Sequence, residues 1–343
     1  MECAIRRATL IVLVCLGLCG ASPASASTLL IEGAGDGHGV GMSQDGALGY
    51  AEHGWSYEAI LGHYYHGTAI GQAPENTVVR VLMGSKVKRV PLETYVRGVV
   101  SAEVSSSWPM AALEAQAVAS RTYAITAHAG GSKFDVYPDT RSQMYRGKAA
   151  ETPRTNAAVA ATTGQIVTYA GKPAITYFYA DSGGHTESVQ YGFPGSSPQP
   201  WLVGVSDPYD VGPLRKWSVS LSFSAAAKDL RGLVSGSFKG IEVLERGSSP
   251  RIVSAYVLGS KGHTPVSGGE LATRLGLHDT WAYFSVRDSH GTHTEPDVSG
   301  KRNTSPPPAP PAQPAQVGGS GGSPATPEDG SSHVSGQGGV PAG

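Results

Sequence analysis

Apolar residues recur with helical spacing in two neighbouring stretches near the middle of the chain. The first starts at Val90-Pro91, and its apolar side chains repeat at steps of three and four residues, which predicts an amphipathic helix. The second begins near Trp108-Pro109 and is rich in alanine up to Gly130-Gly131, which predicts a closely packed helix. Two shorter helices are predicted at about 43–53 and 57–66.

Short runs around these helices alternate apolar with polar residues, as half-buried antiparallel strands do. Together with the helices they predict an α+β fold, in which a helical hairpin packs on mixed or antiparallel sheets. The predicted strands are TVVRVLM (77–83), QIVTY (165–169), PAITYFYA (173–180), IEVLE (241–245), RIVSAYVL (251–258) and WAYFSVR (281–287).

The two ends of the chain differ in composition from the rest. Residues 1–26 carry Arg6 and Arg7, then an apolar run too short for a comfortable membrane span, then a small-residue cleavage site, which is typical of a secretory signal. Residues 299–343 contain nine Pro and ten Gly but no aromatic residue, so we predict a disordered tail. The stretch between them, 27–298, is predicted to form the folded domain.

Cysteine content and charge exclude several classes of function. The cysteines Cys3, Cys15 and Cys19 all lie in the predicted signal, so a secreted chain would lack disulfides, thiolate catalysis and cysteine-ligated zinc. Removing the signal leaves 24 basic and 26 acidic residues, a net charge of about −2, with no basic field for nucleic acid. We therefore expect an exported protein without a nucleic-acid partner and without a membrane span after signal cleavage.

The segment 90–125 contains the strongest candidate for acid–base chemistry. Glu103 falls between the two long helices, where the negative end of a helix dipole and apolar neighbours disfavour a charged carboxylate. Both effects raise its pKa, as a general acid near neutrality requires, although a solvated loop carboxylate is the alternative. Arg121 can approach Glu103 only in a hairpin, where it would orient Glu103 or a substrate oxygen; pairing with a surface acid is equally open.

The Gly- and His-rich block 33–70 places polar groups beside a backbone that is free to approach a ligand closely. His38 and Gln44 are its candidate binding residues, while its glycine spacing does not fit a phosphate-binding loop. We predict no metal site, because two pairs of histidines lack acidic partners at matching spacing: His63 with His66, and His290 with His293.

Two further runs suit the recognition of sugars. DTRSQMYRG (139–147) combines Gln143 and Tyr145, an amide and an aromatic ring that fit sugar hydroxyls and ring faces. In YADSGGHTES (179–188), Ser182 does not fit the pattern of a hydrolase nucleophile, so a substrate-positioning hydroxyl is the better interpretation.

Four stretches of the sequence resemble the stage II sporulation protein D / LytB (SpoIID/LytB) family, and the similarity covers most of 27–298. Sporulation members of this family are lytic transglycosylases of peptidoglycan glycan strands, whereas LytB-type members are described as enhancers of an amidase autolysin. The stretches are GHGVGMSQDGALGYAEHGWSYEAILGHYYHGT, VPLETYVRGVVSAEVSSSWPMAALEAQAVASRTYA, DTRSQMYRG and ATTGQIVTYAGKPAITYFYADSGGHTES.

The resemblance implies roles for particular residues. The family's catalytic acid corresponds to Glu103, and its conserved arginine corresponds to Arg121. Five more residues match family-typical positions and are expected to bind substrate: His38, Gln44, Gln143, Tyr145 and Ser182.

The expected activity is therefore that of a lytic transglycosylase that leaves anhydro-muramyl ends, located outside the cytoplasm at the cell wall. A glycoside hydrolase usually needs two carboxylates. The only candidates for the second are Asp135, Asp139 and Asp181. A lytic transglycosylase, in contrast, needs one acid and no metal or organic cofactor. The alternative is a non-catalytic wall-binding protein that stimulates an amidase, which would then be its partner. A purely structural glycan-binding domain has less support.

The order of segments departs from that of familiar relatives, in which the GHGVGMSQ block lies near the C-terminus. We therefore predict a circular permutation, in which STLLIEG (27–33) lies beside WAYFSVR (281–287). The Cys/His zinc site of some relatives has no counterpart here, because the predicted mature chain lacks cysteine.

Overall fold

The structure, a computed structural model, describes residues 27–300, and its first four helices begin close to where the sequence predicts them, whereas the four later α-helices of this part of the chain were not predicted. The α-helices of this part of the chain are α1 Gln44–Glu52, α2 Tyr57–Tyr64, α3 Leu92–Glu103, α4 Met110–Thr126, α5 Pro153–Ala161, α6 Val189–Gly192, α7 Phe223–Asp229 and α8 Gly268–Leu275. The strands are β1 Thr28–Gly33, β2 Met42–Ser43, β3 Ala69–Gln72, β4 Val78–Met83, β5 Lys86–Pro91, β6 Gln165–Tyr169, β7 Lys172–Pro173, β8 Phe178–Tyr179, β9 Trp217–Ser222, β10 Phe238–Arg246, β11 Ile252–Gly259, β12 Gly262–Ser267, β13 Ala282–Asp288 and β14 Gly291–Thr294.

Helices α3 and α4 form the predicted helical hairpin. Each begins directly after a proline, Pro91 or Pro109, whose missing N–H is no loss at the start of a helix. The apolar face of α3, including Val96 and Val99, is buried in one cluster with Leu113 of α4. The hairpin therefore follows from the apolar spacing that the sequence displays.

Helix α4 is buried on almost all sides, which explains its alanine content. Ala117 belongs to the apolar cluster shared with α3, whereas Val118 and Ala119 belong to a second cluster that includes α1 and α2. Small side chains let neighbouring elements approach it from both directions. The prediction that α4 extends to Gly130-Gly131 is wrong, because it ends at Thr126 and the chain then turns at His128, whose φ is +44°.

Antiparallel pairing dominates the sheets. The largest has the order β14-β13-β1-β9, and β10-β11-β12 form another. Smaller antiparallel groups are β3-β6-β7 and β4-β5, while β2 and β8 pair in parallel. Helices together with mainly antiparallel sheets confirm the predicted α+β class.

Strand β1 lies where the sequence places it, beside the segment 281–287. It pairs with β13 from Thr28 opposite Arg287 to Gly33 opposite Ala282, and with β9 on its other side. Its alternate residues are buried in an apolar cluster with side chains of β13. The N-terminal strand is therefore central to this sheet, whereas the circular permutation itself stays a prediction about relatives.

The predicted strand 173–180 is wrong over most of its length. Only its two ends, in β7 and β8, belong to strands; between them, single bonds join Ala174 to Val167 of β6 and Tyr177 to Met42 of β2. Thr176 Oγ1 donates to the carbonyl of Ala119 in α4 at 2.8 Å, and Tyr65 donates its hydroxyl to the carbonyl of Tyr177 at 2.8 Å. These bonds hold a segment whose sequence is typical of a strand against the helices instead of in a β-sheet.

The predicted signal, 1–26, lies outside the described residues, as does the predicted tail, 299–343, apart from Ser299 and Gly300. All described residues belong to one compact unit. Within residues 27–300, no helix has the length and apolar character needed to cross a membrane. The boundaries of the folded domain stay predictions.

Candidate active site

Glu103 is the last residue of α3, and two other segments bind its carboxylate. Gln44 Nε2, at the start of α1, donates to Glu103 Oε2 at 3.2 Å. The backbone N–H of Met144 donates to Glu103 Oε1 at 2.6 Å. The start of α1 and the loop at Met144 therefore each hold one oxygen of this carboxylate.

Burial is the largest influence on the ionisation of Glu103. It raises the pKa of the Glu103 carboxyl, while the bonds from Met144 and Gln44 act in the opposite direction because they favour the charged form. Burial outweighs both bonds, so the pKa is higher than that of an ordinary glutamate. Such a carboxyl retains its proton closer to neutral pH, as a general acid must.

A buried chain of amides and hydroxyls extends from Glu103 into the helical hairpin. Gln44 Nε2 also lies 3.4 Å from Gln116 Oε1, and Gln116 Nε2 donates to Ser120 Oγ at 3.0 Å. Gln143 Nε2 donates to the Ser120 carbonyl at 3.2 Å. The network fixes the amide of Gln44 and so the direction from which it reaches Glu103.

The position of Gln44 follows from the conformation of the residues before it. Ser43 caps α1, its side chain accepting the N–H of Gly46 at 3.0 Å. Gly41 has a φ of +80°, and a Cβ there would collide with the carbonyl oxygen of Tyr177. Only glycine permits this close approach, which carries the chain directly from the Gly-rich loop into the start of α1.

His38 lies on the Gly-rich loop among aromatic rings. Its ring centroid is 4.9 Å from that of Phe193 and 5.2 Å from that of Tyr179, and its Nδ1 accepts the N–H of Val40 at 3.1 Å. Burial, followed by the positive charge of Arg251, lowers the pKa of His38 to about 4. His38 is therefore neutral near pH 7 and suits hydrogen bonding rather than charge pairing.

An open groove, here called the His38 groove, has a volume of about 290 Å³, and its lining includes His38, Tyr123, Ser142, Tyr177, Phe178 and Phe193. Two short connections join it to Glu103. Ser142 lies two residues before Met144, and Phe178 pairs with Met42, two residues before Gln44. The groove and the half-buried Glu103 are therefore built from the same segments of the chain.

Arg121 does not contact Glu103; its partner is Glu93 at the start of α3. The Arg121 side chain is fully buried, and its Nε and Nη2 donate to the two oxygens of Glu93, each at 2.8 Å. The remaining N–H groups point at three backbone carbonyls, those of Ala117, Val159 and Gln165. The expectation that Arg121 orients Glu103 is therefore not met, and all five donors are used within the fold.

Gln143 and Tyr145 lie in the interior rather than on a surface open to sugars. Gln143 is 1% exposed and belongs to the amide network, where its Nε2 also donates to the hydroxyl of Tyr95 at 3.1 Å. Tyr145 stacks on Tyr95 with ring centroids 4.8 Å apart. In the structure both residues support the loop that carries Met144, and direct contact with substrate stays a prediction for them.

Ser182 is also buried, and its hydroxyl donates to Asp210 Oδ2 at 2.7 Å. The same oxygen accepts the N–H of Gly183 at 2.8 Å. Ser182 therefore joins two loops through Asp210, and this geometry leaves its hydroxyl engaged inside the protein. Its proposed role in positioning substrate has no contact to support it here.

The other candidate groups bind partners away from Glu103. Asp135 forms an ion pair with Arg80, and Asp139 pairs with Arg141 at 2.7 Å. His63 Nε2 contacts the Ser206 carbonyl and the Tyr50 hydroxyl, both at 3.0 Å. In residues 27–300, no group of three or more His, Cys, Asp or Glu side chains is arranged to hold a metal ion.

Asp181 and Asp210 form a buried acidic pair behind the Gly-rich loop. Asp210 accepts hydrogen bonds from Ser182, Gly183 and Gly212. Burial, followed by Asp210, raises the pKa of Asp181 to about 8. Asp181 is thus mostly protonated near pH 7, which avoids placing two buried negative charges side by side.

This pair predicts a specific pH dependence of stability. In the folded protein Asp181 keeps its proton up to about pH 8, whereas in the unfolded chain it loses the proton at its ordinary pKa of about 4. The contribution of Asp181 to stability is therefore lost as pH rises towards 8. Asp181→Asn cannot ionise and should flatten the decline of Tm between pH 5 and pH 9, measured by thermal unfolding. Asp139→Asn, at an exposed acid, should leave the decline unchanged; an unaltered profile in Asp181→Asn would contradict the assignment.

The fold and site together define an α+β protein with one helix-terminal acid, held by amides, beside an open groove. Residues 83–169, which include Glu103, match the sequence model of a family described as Stage II sporulation protein. The chain is 35% identical over 194 residues to an uncharacterized protein of Brachyspira hyodysenteriae, covering 56% of this chain and 50% of that protein. It is 28% identical over 242 residues to Stage II sporulation protein D of Bacillus amyloliquefaciens, covering 65% and 68%.

A third relative is the amidase enhancer of Bacillus subtilis, 33% identical over 127 residues, which cover 37% of this chain and 17% of that protein. The chain thus spans about half the length of the first relative and a small part of the amidase enhancer. These matches confirm the resemblance to the SpoIID/LytB family that the sequence displays.

Proposed function

We propose that this protein is a lytic transglycosylase that cleaves peptidoglycan glycan strands to anhydro-muramyl ends. The observation that carries the proposal is the setting of Glu103, a carboxyl of raised pKa whose two oxygens are held by Gln44 and Met144, in segments that also line an open groove. A glycoside hydrolase usually needs a second carboxylate near the first. The candidates for that role bind other partners, so chemistry with one acid fits the site better.

In the proposed reaction Glu103 acts first as an acid and then as a base. It donates its proton to the glycosidic oxygen while the bond between that oxygen and C1 of the muramyl sugar breaks. The Glu103 carboxylate then accepts the proton of the muramyl C6 hydroxyl, whose oxygen bonds to C1 and closes the anhydro ring. The acid regains its proton, and neither water nor a cofactor is consumed.

Gln44 tunes this acid, which gives a test by pH. Its amide bond to Glu103 lowers the pKa, so Gln44→Leu should raise the pKa further. Because the reaction needs protonated Glu103, the alkaline limb of the pH–rate profile should move to higher pH. Gln72→Leu, at an exposed glutamine of β3, should leave the limb in place; a limb that stays fixed in Gln44→Leu would contradict the assigned contact.

The direct test is product analysis with purified protein and peptide-free glycan strands. Mass spectrometry should detect products with anhydro-muramyl ends, each lighter by one water than the product of hydrolysis. Products that carry the additional water would identify a hydrolase instead. Intact strands after incubation would contradict catalysis.

The second candidate function is stimulation of a cell-wall amidase, and the relative named amidase enhancer favours it. In that case the His38 groove would hold glycan without cleaving it. The protein would speed the release of stem peptides by a separate amidase and leave the glycan strands intact. Either function implies a location outside the cytoplasm, at the cell wall, with peptidoglycan glycan strands as the ligand.

A further inference from the structure

The segment 191–201, which starts in the last turn of α6, borders three depressions on the protein surface. Tyr191 lines a depression of about 380 Å³ that His38 also lines. Phe193 lines the His38 groove. Trp201 lines a third depression of about 470 Å³, here called the Trp201 depression.

Other elements border these depressions in the same order. Tyr177 lines the His38 groove and Ile175 lines the Trp201 depression, and an extended chain separates two such residues by at most about 7 Å. On α4, Tyr123 faces the His38 groove, and Ile125 faces the Trp201 depression. The two depressions are therefore neighbours on the surface, because they border neighbouring residues of the same two segments. Ile125 also lies farther along α4 than Tyr123 from the connection that Glu103 borders.

Trp201 is held rigidly at the far end of this surface. Its indole Nε1 donates to the carbonyl of Ile175 at 2.9 Å, and its ring lies against Tyr169, with centroids 5.1 Å apart. The half-buried indole also lines the depression. An aromatic ring that is already fixed binds an apolar face with little loss of side-chain entropy.

The lining of the Trp201 depression suits an uncharged polymer. Gln199 offers an amide that can donate to and accept from hydroxyl groups. Among the described residues that line it there is no Asp, Glu, Lys or Arg, and His128 is the one titratable side chain. A sugar ring, with an apolar face and hydroxyl edges, matches this combination better than a charged peptide.

We propose that Trp201 and Gln199 form a distal glycan subsite, which binds a sugar of the same strand that occupies the His38 groove. The inference rests on the proposed function, because it takes peptidoglycan glycan as the ligand. The subsite adds affinity for long strands and makes no contact with the bond that is cleaved.

The test compares peptide-free strands of different length, with binding measured in the Glu103→Gln protein so that no strand is cut. Trp201→Ala should weaken binding of long strands about tenfold, the scale of one lost aromatic contact with its buried area, and leave binding of a tetrasaccharide unchanged. Trp201→Phe should restore most of the affinity for long strands. Thermal unfolding of each variant checks that the fold is intact.

The outcomes separate this inference from the proposed function. Unchanged binding of long strands by Trp201→Ala, or an equal loss for long and short strands, overturns the distal subsite alone. A length-dependent loss supports it, even if the wild-type protein binds strands without cleaving them and the lytic proposal fails. A wild-type protein that binds no glycan of any length overturns both.

Discussion

Glu103→Gln is expected to lower the rate of glycan cleavage by about 10²- to 10⁴-fold, the range that a positioned acid–base group supplies. The amide has nearly the shape of the carboxyl, and its oxygen can still accept the N–H of Met144. It has no proton to transfer to the glycosidic oxygen and no carboxylate to receive one. The measurement is the initial rate at which anhydro-muramyl ends form from peptide-free strands.

Two variants make this result specific. Glu114→Gln makes the same chemical change on α4, where the carboxyl faces Glu58 instead of the amide network, and it should keep the wild-type rate. Glu103→Asp keeps an acid but withdraws it by one methylene, so an intermediate rate is expected. Undiminished cleavage by Glu103→Gln would contradict its role as the acid, whatever the product.

The helices that carry the site could be predicted because their signals are local. Proline marks the start of α3 and of α4, and the apolar spacing of α3 defines its buried face. The pairing of β1 with β9 depends on residues far apart in the chain, so no local pattern predicts it. The stretch 173–180 has the composition of a strand, yet bonds to Ala119 and Tyr65 prevent most of it from pairing.

In the site, too, features that depend on neighbouring residues could be predicted from the sequence, whereas contacts between distant segments could not. The raised pKa of Glu103 could be predicted from its place at a helix end among apolar neighbours. Gln116 and Ser120 were not predicted, although two polar residues four apart in an alanine-rich helix are a usable signal for a buried network. The contact between Gln44 and Glu103 joins segments that only the tertiary fold brings together.

The partner of Arg121 could have been found from the geometry of a hairpin. In two antiparallel helices, residues at equal distances from the connection face one another. Glu93 and Arg121 lie at nearly equal distances from the connection between α3 and α4, whereas Glu103 borders that connection. The hairpin is predicted correctly, but it places Arg121 opposite Glu93 and far from Glu103.

Arg121→Met is expected to destabilise the folded protein by about 2–4 kcal/mol, less than the full cost of breaking a buried ion pair because Glu93 is 29% exposed. The change removes the cation that pairs with Glu93 and the Arg121 donors to three backbone carbonyls. These groups join α3, α4, α5 and β6, so their loss weakens the frame around Glu103. Equilibrium unfolding in urea measures the free energy of unfolding.

Arg274→Met provides the matched control, because Arg274 and Glu270 form an exposed pair on α8 that is worth at most about 1 kcal/mol. The double variant Glu93→Gln/Arg121→Met should lose less stability than the sum of the two single variants, because the second change removes a charge that the first leaves unpaired. Wild-type stability in Arg121→Met, together with lost cleavage, would contradict the structural role and return Arg121 to the chemistry. If Arg121 and Glu93 stabilise the fold as a pair, Arg121→Met should lose much stability, and the added Glu93→Gln change should relieve part of that loss.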